Sequence, residues 1–343
     1  MDRLPLFKLF PAQPEPVMPV SVRLLLAALA ATLIAQPTQA RLKRITVETV
    51  KPLPVRDGQI PFEMVTGSFA GDLDPADPHN RVITDLGKAP RNAARRVVYS
   101  ATFALTRPVD ISKASGLLSY GVPNRGGLTT VGANQDGHIE VMSGWQGDIP
   151  PGNGRQTATV PVAQGVTGPV LARFTDVAAS TKSLKLTGGF AVPTPLPLPV
   201  SLDTTKARLV RAVRGKPDTA IAASDWAFAN CAGQAFPGSP DPRQICLAAG
   251  FDPDAAYTLV YQAKDPAVLG IGFAATRDLV SFLRHGKADD AGHANPAGTG
   301  VRWTIGAGHS QSGNFLRSFV NQGFNADEDG TPVFDGIHPN IAA

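Results

Sequence analysis

Residues 301–322 constrain this chain more than any other stretch. Residues 301–305 (VRWTI) read as a short strand, and residues 314–322 carry a helical pattern. Only Gly306-Ala307-Gly308-His309-Ser310-Gln311-Ser312-Gly313 stands between them. A strand that enters a helix through a tight glycine-rich turn packs back as a crossover, and crossovers place neighbouring strands parallel. A helix precedes this unit. Asp265 and Pro266 form a helix start, with the carboxylate as N-cap and proline in the first turn. Leu269, Phe273, Thr276, Leu279, Val280 and Leu283 then share one face, and Gly286 ends the run after Arg284 and His285. The rhythm predicts an α/β fold.

The first half is richer in strands. Residues 44–69 alternate in short β-like pieces. Residues 96–106, 116–122 and 138–143 read as further strands, and residues 72–80 (DLDPADPHN) as a turn cluster. From about residue 155 to 215 the chain has β-branched pieces, no helix-length pattern and a proline-rich run at 192–200 (VPTPLPLPV). The expected architecture is a mainly parallel sheet with an antiparallel N-terminal edge and a β-rich insertion at about 155–215.

The N-terminus reads as an address. Arg23, the apolar run 24–34 (LLLAALAATLI) and the small residues Thr38 and Ala40 follow the order of a secretory signal over 1–40, with Met1 or Met18 as the start. The run falls short of the ~20 residues that span a bilayer, so no stable anchor is expected after cleavage, a permanent anchor being the rival reading. Residues 41–343 then form the folded domain, periplasmic or secreted. Cys231 and Cys246 are the only cysteines. In an oxidising compartment they favour a disulfide, with two buried thiols as the alternative. The net charge of +4 is spread without a block of like charges, so nucleic acid is not expected as a partner.

Gly308-His309-Ser310-Gln311-Ser312 sits where a G-x-S-x-G nucleophile elbow belongs. A serine on so sharp a turn takes a strained backbone, and the residues two before and two after it must be small. Gly308 and Ser312 both are, although serine stands for the usual second glycine. The N–H of Gln311, opening the helix, is the natural first oxyanion donor. A phosphate loop is a poor fit, because Asn314 and Phe315 stand where it needs lysine and Ser/Thr. An ordinary structural turn is the plain alternative. The second donor is expected from the loop after an earlier strand, and Asn124, Arg125 and Gly126, between Pro123 and Gly127, are the candidates. Trp145 and Asp148 follow the next strand, where they line the same mouth or serve structure alone.

Several segments together resemble a bacterial family of exported α/β-hydrolase-domain proteins. They are DPADPHN at 74–80, GWQGD at 144–148, GFAATRD at 272–278, GHSQSGNFLR at 308–317 and the Gly323-Phe324-Asn325 that follows. The resemblance runs from about Thr46 to the last residue. It implies a serine-hydrolase fold, with Ser310 matching the nucleophile and Ser312 a family trait, and ester substrates of small size. No cofactor and no metal are implied, and the oligomeric state is left open.

In this fold the acid and the histidine follow the nucleophile on later strands. Residues 311–343 have room for one helix and one more strand, at about 333–341, so the domain is expected to be incomplete at its C-terminus. Asp327, Glu328, Asp329 and Asp335 are the acids available, and His338 is the only histidine beyond the elbow; His309 is a neighbour in sequence. None is assigned as base or acid. Asn325-Ala326-Asp327-Glu328-Asp329-Gly330 resembles the opening of a calcium loop but has Gly336 at the twelfth position, so a polar loop is the better reading. Two functions remain: a hydrolase acting on carboxylic esters through Ser310, or a non-catalytic remnant or exported binding module that keeps the fold without the chemistry.

Overall fold

The computed structural model describes residues 42–55, 57–127, 132–189 and 191–343. The expected signal segment at 1–40 lies outside them.

The central sheet contains β1 (Leu42–Pro52), β2 (Phe62–Leu73), β3 (Val97–Pro108), β4 (Leu117–Gly121), β5 (Ile139–Ser143), β6 (Ala158–Thr159), β14 (Trp303–His309) and β15 (Gly336–Asn340). Its order is β1-β2-β3-β5-β4-β14-β15, with β6 beside β3. The first three strands and β5 pair antiparallel, whereas β5, β4, β14 and β15 run parallel to one another. The sheet is therefore mixed rather than mainly parallel. Antiparallel neighbours need only a short return, which the 53–61 link between β1 and β2 supplies. Parallel neighbours need a crossover, and among the described residues the parallel pairs are those of β5, β4, β14 and β15.

Among the described residues two α-helices pack on this sheet, α1 (Ile271–His285) and α2 (Gln311–Asn321). Helix α2 buries Ser312, Phe315, Leu316 and Phe319, one stripe at helical spacing. Helix α1 is buried over almost its whole length, polar residues included. It begins at Ile271 behind Gly270, not at Asp265. Asp265 has φ 49°, outside the helical range, and its carboxylate accepts from the Gly165 N–H at 2.8 Å. The Asp-Pro pair was the right kind of punctuation, but a contact a hundred residues away uses it as a loop corner.

The β-rich region extends past residue 215 to Lys264. Its larger sheet joins β7 (Thr167–Phe174), β9 (Arg208–Val213), β10 (Thr219–Ile221) and β13 (Ala255–Lys264) in the order β10-β9-β13-β7, all antiparallel. A smaller sheet joins β8 (Ser183–Lys185), β11 (Trp226–Ala227) and β12 (Gln244–Leu247). Leu209, Trp226, Phe228, Ile245, Tyr257 and Leu259 form a second core, separate from that of the central sheet. The Cys231–Cys246 disulfide is formed, with a Cα–Cα distance of 5.9 Å, and it closes a loop beside that core.

Among the described residues no helix is long and apolar enough to cross a membrane.

Candidate active site

Three loops leave the carboxyl ends of adjacent parallel strands. They are the turn after β4, the Gly144-Trp145-Gln146-Gly147-Asp148 loop after β5 and the elbow after β14. Parallel sheets place their ligands at this edge.

At the elbow Ser310 takes φ 59° and ψ −118°, a conformation that side chains avoid. Its neighbours hold it there. The Ser310 N–H donates to the Asn340 carbonyl at the end of β15 at 2.9 Å, and its own carbonyl accepts from the Asn314 N–H at 2.9 Å, opening α2. A Cβ at position 308 would overlap the Ser312 carbonyl oxygen, so only glycine lets the strand come this close to the helix. Ser312 is itself buried, with its Oγ unbonded among the described residues. The glycine two before Ser310 is thus sterically required. Ser310 stands exposed at the tip. Gln311 opens α2, where the first N–H groups have no acceptor within the helix.

The Asn124–Gly126 turn lies against this elbow. The Asn124 side-chain amide donates to the His309 carbonyl at 3.2 Å and accepts from the Arg125 guanidinium at 2.6 Å. Val122, one residue past β4, donates to Ala307 in β14 at 2.9 Å. Arg125 has φ 52°. A Cβ on Gly126 would come within 2.7 Å of the Gln156 carbonyl oxygen and 3.0 Å of Ile149 Cγ2, so this position demands glycine too. The turn that carries Asn124, Arg125 and Gly126 therefore lies beside the elbow that carries Ser310 and Gln311.

Trp145 fastens the third loop to the other two. Its indole N–H donates to the Pro123 carbonyl at 2.7 Å, and its ring packs on Phe315 of α2 at 4.5 Å. Phe315 stacks in turn on Phe273 of α1 at 4.7 Å. The sequence left Trp145 either lining the mouth or serving structure alone; here it clamps the loop after β4 to the helix of the elbow. Burial pushes the Asp148 carboxyl above its ordinary value.

Two of the other acids are engaged elsewhere, and His338 lies back along the sheet. His338 pairs in register with Ala307, three residues and about 10 Å back along the strand from Ser310. Asp335 accepts from the Thr304 N–H at 2.7 Å and from Arg284 at 3.0 Å. Burial pushes its carboxyl up, but these hydrogen bonds and the Arg284 charge outweigh it and hold the group below its ordinary value. Asp327 accepts from the Asp329 and Thr331 N–H groups and from the Ser281 hydroxyl, so the loop at 325–330 is tied to itself and to α1. Among the described residues no group of three or more His, Cys, Asp or Glu side chains could hold a metal.

The strained serine thus stands on a tight turn between the parallel strand β14 and helix α2. Residues 211–343 match a family model described as "Alpha/beta hydrolase domain", which supports an α/β-hydrolase family and a hydrolase-type function. No curated protein and no solved structure matches the chain.

Proposed function

We propose that this chain is a serine hydrolase that transfers the acyl group of a small carboxylic ester to water through Ser310. The observation that carries this reading is the backbone of Ser310, φ 59° and ψ −118°, held at the exposed end of β14 in front of α2. Strain of this kind persists where the surroundings enforce it, and it lifts a serine hydroxyl clear of the sheet. In the proposed reaction the Ser310 oxygen attacks the ester carbonyl. The resulting oxyanion faces the Gln311 N–H at the positive end of α2, with the Asn124–Gly126 turn supplying the second donor. The alcohol leaves, and water releases the acid.

The serine proton needs a base, since an unassisted hydroxyl is a weak nucleophile at neutral pH. Among the described residues no imidazole is hydrogen-bonded to Ser310. That observation favours a second reading, an exported binding module with the same pocket and without turnover. Export is part of the proposal. It is supported by the charged, apolar and small-residue order of residues 1–40 and by the disulfide, which belongs to oxidising compartments.

A fluorophosphonate probe followed by peptide mass mapping separates the readings. The hydrolase reading expects an adduct on Ser310 that is lost in Ser310→Ala. A folded chain that takes no label sinks that reading and leaves the binding module.

A further inference from the structure

The indole N–H of Trp145 meets the turn after β4 at the Pro123 carbonyl, at 2.7 Å, and this bond fixes more than the carbonyl. The Pro123–Asn124 peptide is planar and trans, so its carbonyl and the Asn124 N–H point in opposite directions. A partner that holds the one therefore aims the other. The other carbonyl bonds of the turn act differently. The Asn124 carbonyl accepts from the Gly127 N–H at 3.0 Å, a bond inside the turn that sets its shape and not its placement. The Gly126 carbonyl accepts from the Gln156 N–H at 2.8 Å, but the N–H of that peptide, at Gly127, is the one already spent on Asn124.

Trp145 can hold a direction because it is itself held from different sides. A Cβ at position 272 would overlap the Trp145 carbonyl oxygen, so the first turn of α1 packs directly on its main chain. The next carbonyl, that of Gln146, accepts from the Ala158 N–H at 3.2 Å. The Trp145 ring lies 4.5 Å from that of Phe315 on α2, the helix that opens with Gln311. The turn after β4 is thus tied to the elbow twice. The Asn124 side chain ties it to the strand side, at the His309 carbonyl, and Trp145 ties it to the helix side.

We infer that Trp145 is a positioning residue for the proposed acyl transfer: by fixing the Pro123–Asn124 peptide it makes the Asn124 N–H the second oxyanion donor, set against the Gln311 N–H through α2. The inference rests on the hydrolase reading, and it selects Asn124 from the three residues of the turn. Trp145 touches no reacting atom. Its effect falls where the oxyanion exists, in the transition state, and not on binding of the ground state.

The test is the rate of Ser310 labelling by a fluorophosphonate, measured on the full chain over a range of probe concentrations. Trp145→Phe keeps an aromatic ring against Phe315 and removes the N–H. It is expected to lower the maximal labelling rate at least about tenfold, less than the roughly 10²–10³-fold cost of losing an oxyanion donor outright, with the half-saturating probe concentration unchanged. Tyr99→Phe controls for lost stability: Tyr99 lies in β3, bonded to Asp278 at 2.6 Å, and its variant keeps the wild-type labelling rate. Should Trp145→Phe fail to fold, β-(3-benzothienyl)alanine at position 145, which has the shape of the indole without its donor, is read in its place. Equal maximal rates in wild type and variant overturn the inference, as does a loss confined to probe affinity. A wild-type chain that takes no label sinks the hydrolase reading itself, and the catalytic role of Trp145 with it.

Discussion

The elbow and the Arg277 cluster carry cost in opposite ways. At the elbow the cost is conformational: one serine sits in a disfavoured backbone state, held by close packing and main-chain hydrogen bonds, with its side chain left free at the surface. In the cluster the cost is electrostatic. Arg277 is fully buried on α1, and each nitrogen of its guanidinium donates a hydrogen bond. It donates to Asp278 at 2.8 Å, to Asn80 at 3.0 Å and to Glu328 at 3.2 Å, while Phe324 lies 5.9 Å beneath it. Tyr99 donates to Asp278 at 2.6 Å from the opposite side, and burial first, then the Asp278 charge, drive its phenol well above the ordinary range. A buried cation is tolerable only when its partners are complete. A strained serine is tolerable only when its neighbours are small. The first arrangement favours rigidity, and the second leaves a reactive group presented to solvent.

Breaking the cluster should cost most. Arg277→Met leaves Asp278 and Glu328 buried without their cation, and the expected loss is about 3–5 kcal/mol in denaturant unfolding. An unchanged midpoint would show that the carboxylates are neutralised by other means. Gly308→Ala attacks the elbow instead. The new methyl meets the Ser312 carbonyl, so a stability loss of about 1–3 kcal/mol should accompany a large drop in Ser310 labelling. If labelling survives, the elbow does not depend on close approach. Tyr99→Phe removes one hydrogen bond to a charged group and is expected to cost about 1.5–3 kcal/mol, with the Ser310 labelling rate unchanged. Asn124→Ala should do the reverse, costing about 1 kcal/mol of stability while slowing labelling, because it frees the turn after β4 from the elbow.

The smallest effect concerns Asp335, a lesser relative of the cluster that ties β14 to α1 through Arg284. Its carboxyl is held below the ordinary value in the folded chain. Its stabilisation is therefore complete above the unfolded carboxylate pKa of about 4 and is lost as pH falls through the lower folded value. The stability gap between wild type and Asp335→Asn should narrow on acidification. A gap that widens instead would put the sign of the shift in question.

Much of the elbow was legible in the sequence because its requirements are local. Strand, turn and helix follow one another within twenty residues, and the glycine at 308 is needed by the turn itself. The strands of the central sheet were legible for the same reason, since period-two alternation reports burial on one face. The start of α1 was not. Asp265 and Pro266 satisfy the local rules for a helix N-terminus, yet a hydrogen bond from Gly165 and a pairing between Val162 and Ala267 draw that segment into a loop. Local preference amounts to about 1 kcal/mol for a cap, and tertiary contacts override it. The extent of the β-rich region was hidden in a similar way. Residues 255–264 alternate cleanly, and nothing in that alternation names residues 167–174 and 208–213 as partners.

The sequence by itself determined that a serine would stand on a strained turn between a strand and a helix, and that two cysteines were available to bond. Only the tertiary structure decided that Asn124 reaches His309 across 185 positions and that Trp145 locks the turn after β4 to Phe315. The reason is one of range. Backbone strain and side-chain size act between residues that are close along the chain, whereas a site's walls come from segments that meet only after the sheet has assembled.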